Sequence, residues 1–389
     1  MFDWYQRAKE KEPRMIEIRR YLHQYPELSF EEHQTRHYIV NQLSQYSCDI
    51  RTPVGLNGMV ATFKGHGDGP TIALRADFDA LPIQEIKNVP YKSKNDGIMH
   101  ACGHDGHTAI LLAVAELLDE HRDALTGNVV LIFQYGEELN PGGAQGMIDD
   151  HCLAGVDRIY GNHLWTGYPT GAIRSRSGAL MASPDEFEVT ITGKGGHGAK
   201  PHDTIDPIVT MAEFILSAQK IISRTVDPVK HAVLSFGMVQ AGAADNVIPE
   251  SATCRGTVRT FDTDVQDHIE TRMEKLLQGL AVANDITYTF DYQRSYLPVH
   301  NNHDAYNVVK TAANALNMQY SDADLLMIGE DFSHYQKVCP GAFFLTGCGN
   351  REKDTDWPHH SAYFDIDENA MKFAAATFMK ILEIEGVIH

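Results

Sequence analysis

The chain has 389 residues, 43% of them hydrophobic, so it is long enough for two domains with buried cores. Its formal net charge of -19 argues against nucleic acid or an anionic membrane as a partner, because both select for basic surfaces. The first residues, MFDWYQRAKEKEPRM, contain no apolar segment typical of a secretory signal, and six scattered cysteines without a CxxC motif favour reduced thiols in the cytoplasm.

The first part of the chain alternates helices with buried strands. Amphipathic periodicity predicts helices over 5–24 and 31–46, and a third helix is predicted over 106–120. Short apolar runs predict strands over 58–64, 71–77, 128–135 and 158–164. Strands that alternate with helices predict a mostly parallel sheet with helices on both faces.

A different pattern begins near residue 185. There a strand, a helix, two strands, a helix and a last strand follow one another, which is the β-α-β-β-α-β order of a ferredoxin-like domain. The α/β pattern resumes after residue 297 and ends with a helix over 368–385. We therefore predict an α/β fold with an inserted α+β domain. The α/β domain would be discontinuous, over 1–184 and 297–389, and the insertion would span 185–296.

Side chains able to bind metals follow several of these strands. Open α/β sheets bind ligands beyond the carboxyl ends of their strands, so such residues are expected to meet at one edge. The chain supplies carboxylates after two strands, a histidine within a third, the stretch MHACGHDGHT before a helix, and a histidine pair near the C-terminus. In order, these residues are Asp77, Asp79, His100, Cys102, His104, Asp105, His107, Glu137, Glu138, His163, His359 and His360.

Cys102 and His104 lie two residues apart, so their side chains face the same way in an extended segment. Thiolate, imidazole and carboxylate together suit a borderline-soft divalent ion such as zinc. The ligands outnumber those of one closed site, which favours two metals that share a ligand. Of the pair Glu137 and Glu138, one carboxylate could bind metal while the other takes a proton from water.

Other interpretations of these residues remain open at this point. The adjacent glutamates could form a solvated turn, and Cys102 could be a nucleophile with a histidine base. Asp105 could cap the helix over 106–120. His100 and His107 are expected to support ligands rather than bind metal, and Asp77 and Asp79 could orient ligands without touching an ion.

The chain resembles the M20 metallopeptidase family, in particular its aminoacylase/amidohydrolase branch, nearly from end to end. The motifs appear in the order of that branch. They are RRYLHQYPELSFEEHQT, LRADFDALPIQE, MHACGHDGHT, FQYGEEL, GNHLW, GKGGHGAKPHDTIDP, NVIPESATCRGTVRTFD, GEDFSHY and HHSAYFDIDE. The resemblance implies a phosphorylase/hydrolase-like metal-dependent exopeptidase domain, with the inserted domain acting as a lid that dimerises.

The resemblance also implies roles for individual residues. Metal ligands would be Cys102, His104, Glu138, His163 and His360, with the Cys102 sulfur bridging two ions. Glu137 would be the general base. His197 of the lid would stabilise the oxyanion in the partner subunit's active site, and Asn246 with Arg259 would bind substrate. The usual Leu-His-Ser-Pro has become His359-His360-Ser361-Ala362, and Ile328-Gly329 replaces a common Gly-Ser, so these departures concern specificity.

We accordingly expect hydrolysis of the amide bond of N-acyl amino acids or related small amides. Two divalent ions per subunit are expected, zinc or manganese first, with cobalt and nickel as further candidates. The expected assembly is a homodimer through the lid, or a higher oligomer. A dipeptidase or carboxypeptidase on the same scaffold is one alternative. The other is a homologue that binds acyl amino acids without cleaving them.

Overall fold

The computed structural model describes residues 2–389 and divides the chain into two compact units. Unit 1 contains the described residues up to Leu180 together with His300–Asp324 and Asp331–His389. Unit 2 contains Met181–Val299 and Leu325–Glu330. The second segment of unit 2 lies outside the predicted insertion. It joins this unit through contacts such as the hydrogen bond from the Ala182 N–H to the Leu326 carbonyl at 3.0 Å.

The helices predicted over 5–24, 31–46, 106–120 and 368–385 are present within a few residues of those bounds, whereas the short helices Ala144–Asp149 and Phe332–Val338 were not predicted. In chain order the helices are α1 (Trp4–Gln24), α2 (His33–Leu43), α3 (His104–Glu120), α4 (Ala144–Asp149), α5 (Pro207–Thr225), α6 (Thr263–Asn284), α7 (His303–Ala315), α8 (Phe332–Val338) and α9 (Ala370–Ile384). Short 3-10 turns occur at Arg122–Ala124, Pro201–Asp203 and Arg351–Lys353.

The strands of the first half are β1 (Asp49–Val54), β2 (Gly58–Phe63), β3 (Thr71–Asp77), β4 (Asn128–Gln134), β5 (Arg158–Pro169), β6 (Ile173–Ser175), β7 (Gly178–Met181) and β8 (Ser183–Thr192). Those of the second half are β9 (Gly196–His197), β10 (Ala232–Ala241), β11 (Val247–Ile248), β12 (Ser251–Thr260), β13 (Thr287–Gln293), β14 (Val299–Asn301), β15 (Tyr320–Asp322) and β16 (Gly341–Gly349).

Unit 1 is built on an eight-stranded sheet in the order β1-β2-β4-β3-β5-β16-β6-β15. The central strands β4, β3, β5 and β16 are parallel to one another. The sheet as a whole is mixed rather than mostly parallel, because β1 and β2 form a hairpin, β2 is antiparallel to β4, and β6 is antiparallel to β16. The predicted α/β class is confirmed, with antiparallel strands added outside the parallel centre.

The parallel centre of the sheet is covered on both faces. β3 is buried from Ile72 onward and β4 from Val129 onward, and alternate residues of a strand point to opposite faces. α3 is buried over almost its whole length and packs against α1, α9 and β3. Its apolar run AILLAVAELL is therefore an interior helix. No helix among residues 2–389 is both long enough and apolar enough to cross a membrane.

Unit 2 contains a four-stranded antiparallel sheet in the order β10-β12-β8-β13. The elements follow the predicted β-α-β-β-α-β order along the chain. α5 and α6 pack against this sheet around a core that includes Phe214, Ile269 and Met273. The role of this unit as a lid and dimerisation domain stays a prediction.

Candidate metal centre

Six side chains with metal-binding chemistry converge in unit 1, beyond the carboxyl ends of its parallel strands. One of them precedes α3 and one begins it, two follow β4, one lies within β5, and one lies in the loop before α9. In that order they are Cys102, His104, Glu137, Glu138, His163 and His360. The convergence predicted from the strand ends is therefore observed for these residues, which are far apart in sequence.

Cys102 belongs to two groups of donor atoms. Cys102, His104 and His163 form one group, and Cys102, Glu138 and His360 form the other; within each group the donor atoms lie within 4.8 Å of one another. The Cys102 Sγ is 3.3 Å from the His163 Nε2, and the His360 Nε2 is 3.3 Å from a Glu138 carboxylate oxygen. Two triads that share one sulfur are the arrangement needed to bind two ions with a bridging thiolate.

Two buried atoms in this cluster have no hydrogen-bond partner. They are the His104 Nε2 and the Glu138 Oε1, which lie 3.8 Å apart. The Glu137 carboxylate lies 4.0 Å from the same His104 Nε2 and is also buried. Because an unpaired buried nitrogen lone pair or carboxylate oxygen is costly, a divalent cation that accepts both would satisfy them. The donor set therefore fits a metal.

The cluster depends on unusual backbone conformations on either side of these ligands. Gly103 has φ +96° and forms the N-cap of α3, which lets the chain turn sharply between Cys102 and His104. Gly136 has φ +64°, and a Cβ there would lie 3.0 Å from the Phe30 ring. His360 also has a positive φ of 63°, and its N–H donates to the Ala101 carbonyl at 2.8 Å. The bond from His360 to Ala101 joins the loop before α9 to the segment that carries Cys102.

Asp79 orients His104. The His104 Nδ1 lies 3.1 Å from both the carbonyl and a carboxylate oxygen of Asp79, so this nitrogen carries a proton and Nε2 is the nitrogen that faces the cluster. Burial alone would lower the pKa of His104, but Asp77, Asp79 and Glu138 raise it to about 10, so without a metal ion Nε2 holds a second proton that a bound cation would replace. The surrounding carboxylates thus favour positive charge at this place, which is the electrostatic requirement for a cation site.

A second chain of hydrogen bonds ends beside His163. Arg75 donates to Asp77 at 2.6 Å, and the other Asp77 oxygen lies 2.6 Å from the His107 Nδ1. The His107 Nε2 accepts the Leu164 N–H at 2.9 Å. Burial lowers the pKa of His107, and the ring is therefore neutral with its proton on Nδ1. Both ring nitrogens of His107 are thus engaged, and the residue supports the segment of His163.

Asp105 does not cap α3, although the sequence left that interpretation open. The N-cap of α3 is Gly103, with no side-chain cap bond, whereas Asp105 lies within the first turn. One Asp105 oxygen lies 2.9 Å from the Arg19 Nε and 2.7 Å from the His23 Nδ1. Arg19 also pairs with Asp365 at 2.9 Å. All four side chains are buried, so the network connects the start of α3 to the chain that follows His360.

Sequence reasoning missed Arg19, although a signal was present. Arg19 follows Met15 by four residues and precedes Leu22 by three, which places it on the apolar face of α1. A charged residue on such a face needs a buried partner.

His100, one of the expected supporting residues, is also fully buried, and neither of its ring nitrogens has a hydrogen-bond partner.

The predicted lid residues lie in unit 2. His197 is in β9, which pairs with β11 so that His197 is opposite Val247, and the Asn246 carbonyl accepts the Gly198 N–H at 2.8 Å. His197 and Asn246 are both exposed and are brought together by this short ladder. Arg259 lies separately in β12, where its Nη1 is buried without a hydrogen-bond partner, and burial lowers its pKa.

Comparison with known proteins agrees with this geometry. The family described as peptidase family M20/M25/M40 matches residues 73–384. The N-acetyl-L-cysteine deacetylase of Bacillus subtilis is 41% identical over 360 residues, which covers 92% of this chain and 85% of that protein. Thermostable carboxypeptidase 2 of Saccharolobus solfataricus is 36% identical over 371 residues, which covers 95% and 94% of the two chains.

A solved structure supports the same family relationship. The Bacillus subtilis YXEP protein, described as a dinuclear metal binding peptidase from the M20 family, superposes with a TM-score of 0.85 at 37% identity and covers 98% of this chain and 100% of its own. Motifs, fold and similarity over most of the chain lead to one conclusion. This protein belongs to the peptidase family M20/M25/M40 and is a hydrolase.

Proposed function

We propose that this protein hydrolyses the amide bond of N-acyl amino acids at a centre that binds two divalent metal ions. The observation that carries the proposal is the pair of donor triads sharing Cys102. His104 and His163 would complete one site, and Glu138 and His360 the other. Zinc or manganese is the expected ion, with cobalt and nickel as further candidates. When bound, two such ions polarise a carbonyl and acidify water.

Glu137 is proposed as the general base. It follows β4, is buried beside Glu138, and has a carboxylate oxygen 4.0 Å from the His104 Nε2. A carboxylate at this place can remove a proton from the attacking water and return it to the leaving amine. The neighbouring Glu138 pairs with His360 instead, which supports a division of labour between the two glutamates.

Three residues of unit 2 complete the proposal. His197 is exposed on the β9–β11 ladder, and its proposed role is to donate a hydrogen bond to the oxyanion in the active site of a second subunit. Arg259 has an unpaired buried Nη1 that suits a substrate carboxylate, and Asn246 lies beside His197 as a second polar contact. A homodimer through unit 2 follows from the role given to His197. An enzyme that is fully active as a monomer in light scattering would contradict it.

Carboxypeptidase activity is the second candidate, because a relative of that name is 36% identical over nearly the whole chain. A substrate panel separates the two. The apoenzyme would be reconstituted with zinc or manganese and assayed on acetyl-, benzoyl- and peptidyl-amino acids. We expect turnover of the acyl amino acids and loss of activity with a chelator. Turnover of peptides alone would favour the carboxypeptidase, whereas activity that survives metal removal would favour Cys102 as a nucleophile.

A further inference from the structure

Two histidine rings lie beside the sulfur of Cys102. The His163 Nε2 is 3.3 Å from the Cys102 Sγ, and the His359 Nδ1 is 3.7 Å from it. Both rings are neighbours of the same thiol, but a neutral imidazole has one nitrogen with a proton and one with a lone pair. The second nitrogen of each ring therefore decides what each histidine presents to the sulfur.

His163 presents a lone pair. Its Nδ1 lies 2.7 Å from the Leu164 carbonyl oxygen, and a carbonyl can only accept a hydrogen bond. The proton of the neutral His163 ring is therefore on Nδ1. The Nε2 that faces Cys102 is left with its lone pair, as a metal ligand must be.

His359 presents a proton instead. The Thr166 backbone N–H donates to the His359 Nε2 at 3.3 Å, so that nitrogen uses its lone pair. The proton of the neutral ring must then lie on Nδ1, which faces the Cys102 Sγ. The ring has no lone pair left for a metal. It is arranged to donate an N–H···S hydrogen bond to the thiolate.

The orientation of the His359 ring is held from several sides. Trp165 stacks on it with ring centroids 4.4 Å apart and an interplanar angle of 27°. The Phe364 ring lies 5.1 Å away, and the adjacent residue His360 is tied to Ala101 by its backbone N–H. A 180° flip of the ring about its Cβ–Cγ bond would put a carbon in the place of Nε2 and break the bond from Thr166.

We propose that His359 is a positioning residue that donates a hydrogen bond from Nδ1 to the Cys102 thiolate and does not bind metal. The inference rests on the proposed function, in which Cys102 bridges two ions. A hydrogen bond to a thiolate withdraws electron density from the sulfur. A weaker sulfur donor leaves each bound ion with more positive charge to act on a substrate carbonyl. His359 thereby tunes the centre through its shared ligand.

Three substitutions of His359 test this assignment, since amide side chains can replace one ring nitrogen at a time. In His359→Asn the side-chain amide reaches the place of Nδ1 and can keep the donor. In His359→Gln it reaches the place of Nε2 and leaves the sulfur without a donor, as does His359→Leu. With cobalt bound, we expect the sulfur-to-cobalt charge-transfer band to move to longer wavelength in the Gln and Leu variants, and to remain near the wild-type wavelength in Asn.

Metal content and tautomer complete the test. All three variants should bind as much cobalt as the wild type, and loss of an ion from His359→Leu would show that His359 is a ligand. In the wild-type apoprotein labelled with ring-¹⁵N histidine, long-range ¹H–¹⁵N correlation should show the His359 proton on Nδ1. A proton on Nε2 would overturn the proposal. This last measurement needs neither metal nor a variant, so wild-type protein that binds no cobalt would contradict the proposed function alone.

Discussion

The His104 Nδ1 lies 3.1 Å from a carboxylate oxygen of Asp79, whose other oxygen accepts the backbone N–H of Glu138 at 2.9 Å. One buried carboxylate thus orients a residue of each proposed metal site. Asp79→Asn keeps the shape but removes the charge, and the amide can present an N–H to the His104 ring. We expect metal affinity to fall about 10–100-fold, measured by titration of the apoprotein. Unchanged affinity would show that Asp79 does not orient a ligand.

Ser29 supplies the control for the Asp79 substitution. Its hydroxyl donates at 2.7 Å to the Asp79 oxygen that also accepts the Glu138 N–H, and not to the oxygen that faces His104. Ser29→Ala should therefore change metal affinity much less than Asp79→Asn, because the carboxylate keeps its charge and its bond to His104.

Removal of the shared sulfur should affect both ions. Cys102→Ala deletes a donor from each triad, so metal content measured by elemental analysis should fall at both sites rather than at one. Cys48→Ala is a suitable control, because Cys48 is a free, half-buried thiol outside these triads. A Cys102→Ala protein that retains its full metal content would refute the bridging role.

The two adjacent glutamates should respond differently to the same substitution. Glu137→Gln should retain metal but lower kcat by about 10²–10⁴-fold, because the proton acceptor is removed. Glu138→Gln should instead lower metal content, since Glu138 pairs with His360 in a donor triad. Comparison of kcat and metal content in both variants separates the roles, and an unchanged kcat in Glu137→Gln would dismiss Glu137 as the base.

The side chain of Arg19 should contribute more to stability than that of its neighbour Arg20. Arg19 is fully buried and pairs with Asp105 and Asp365, so Arg19→Met would remove the guanidinium charge that balances two buried carboxylates. We expect a loss of about 3–5 kcal/mol in the free energy of unfolding, measured with urea. Arg20 is only partly buried and pairs with Glu368, so Arg20→Met should cost only about 0.2–1 kcal/mol. Equal losses would contradict this account of the buried network.

Glu32 should make stability depend on pH in the neutral range. Burial, aided by Asp79, raises the pKa of Glu32 from 4.5 to about 7. Because the folded-state pKa is the higher one, its contribution to stability is full below about pH 4.5 and is lost as the pH rises through about 7. Glu32→Gln keeps a neutral side chain at all pH values.

The difference in unfolding free energy between Glu32→Gln and the wild type should therefore change with pH. Between pH 5 and pH 8 we expect the free energy of unfolding of the variant to rise by more than about 1 kcal/mol relative to that of the wild type, measured by urea unfolding at each pH. The Glu32 carboxylate accepts the Gly136 N–H at 2.8 Å and an Asn57 N–H at 3.0 Å, and a glutamine can keep only part of that pattern. A constant difference across this range would contradict the raised pKa.

The sequence alone identified the main element types and most of the side chains that converge on the candidate centre. Continuous apolar runs identified β3 and β4 as buried strands, and alternation identified β8 as the start of a differently organised unit. The residues that follow the strands identified Cys102, His104, Glu137, Glu138 and His163 as a group. These inferences succeeded because periodicity and strand polarity are local properties, and ligands gather at one end of parallel strands.

Only the tertiary structure decided what each histidine and carboxylate of the centre contacts. His359 and His360 are adjacent in the chain but have different partners. The His359 ring accepts a hydrogen bond from the Thr166 N–H and faces the Cys102 sulfur, whereas His360 pairs with Glu138. Asp105 could have been a helix cap, but it pairs with Arg19 from α1. The choice of partner, and with it the place of each proton, depends on contacts between segments far apart in sequence, which no local pattern encodes.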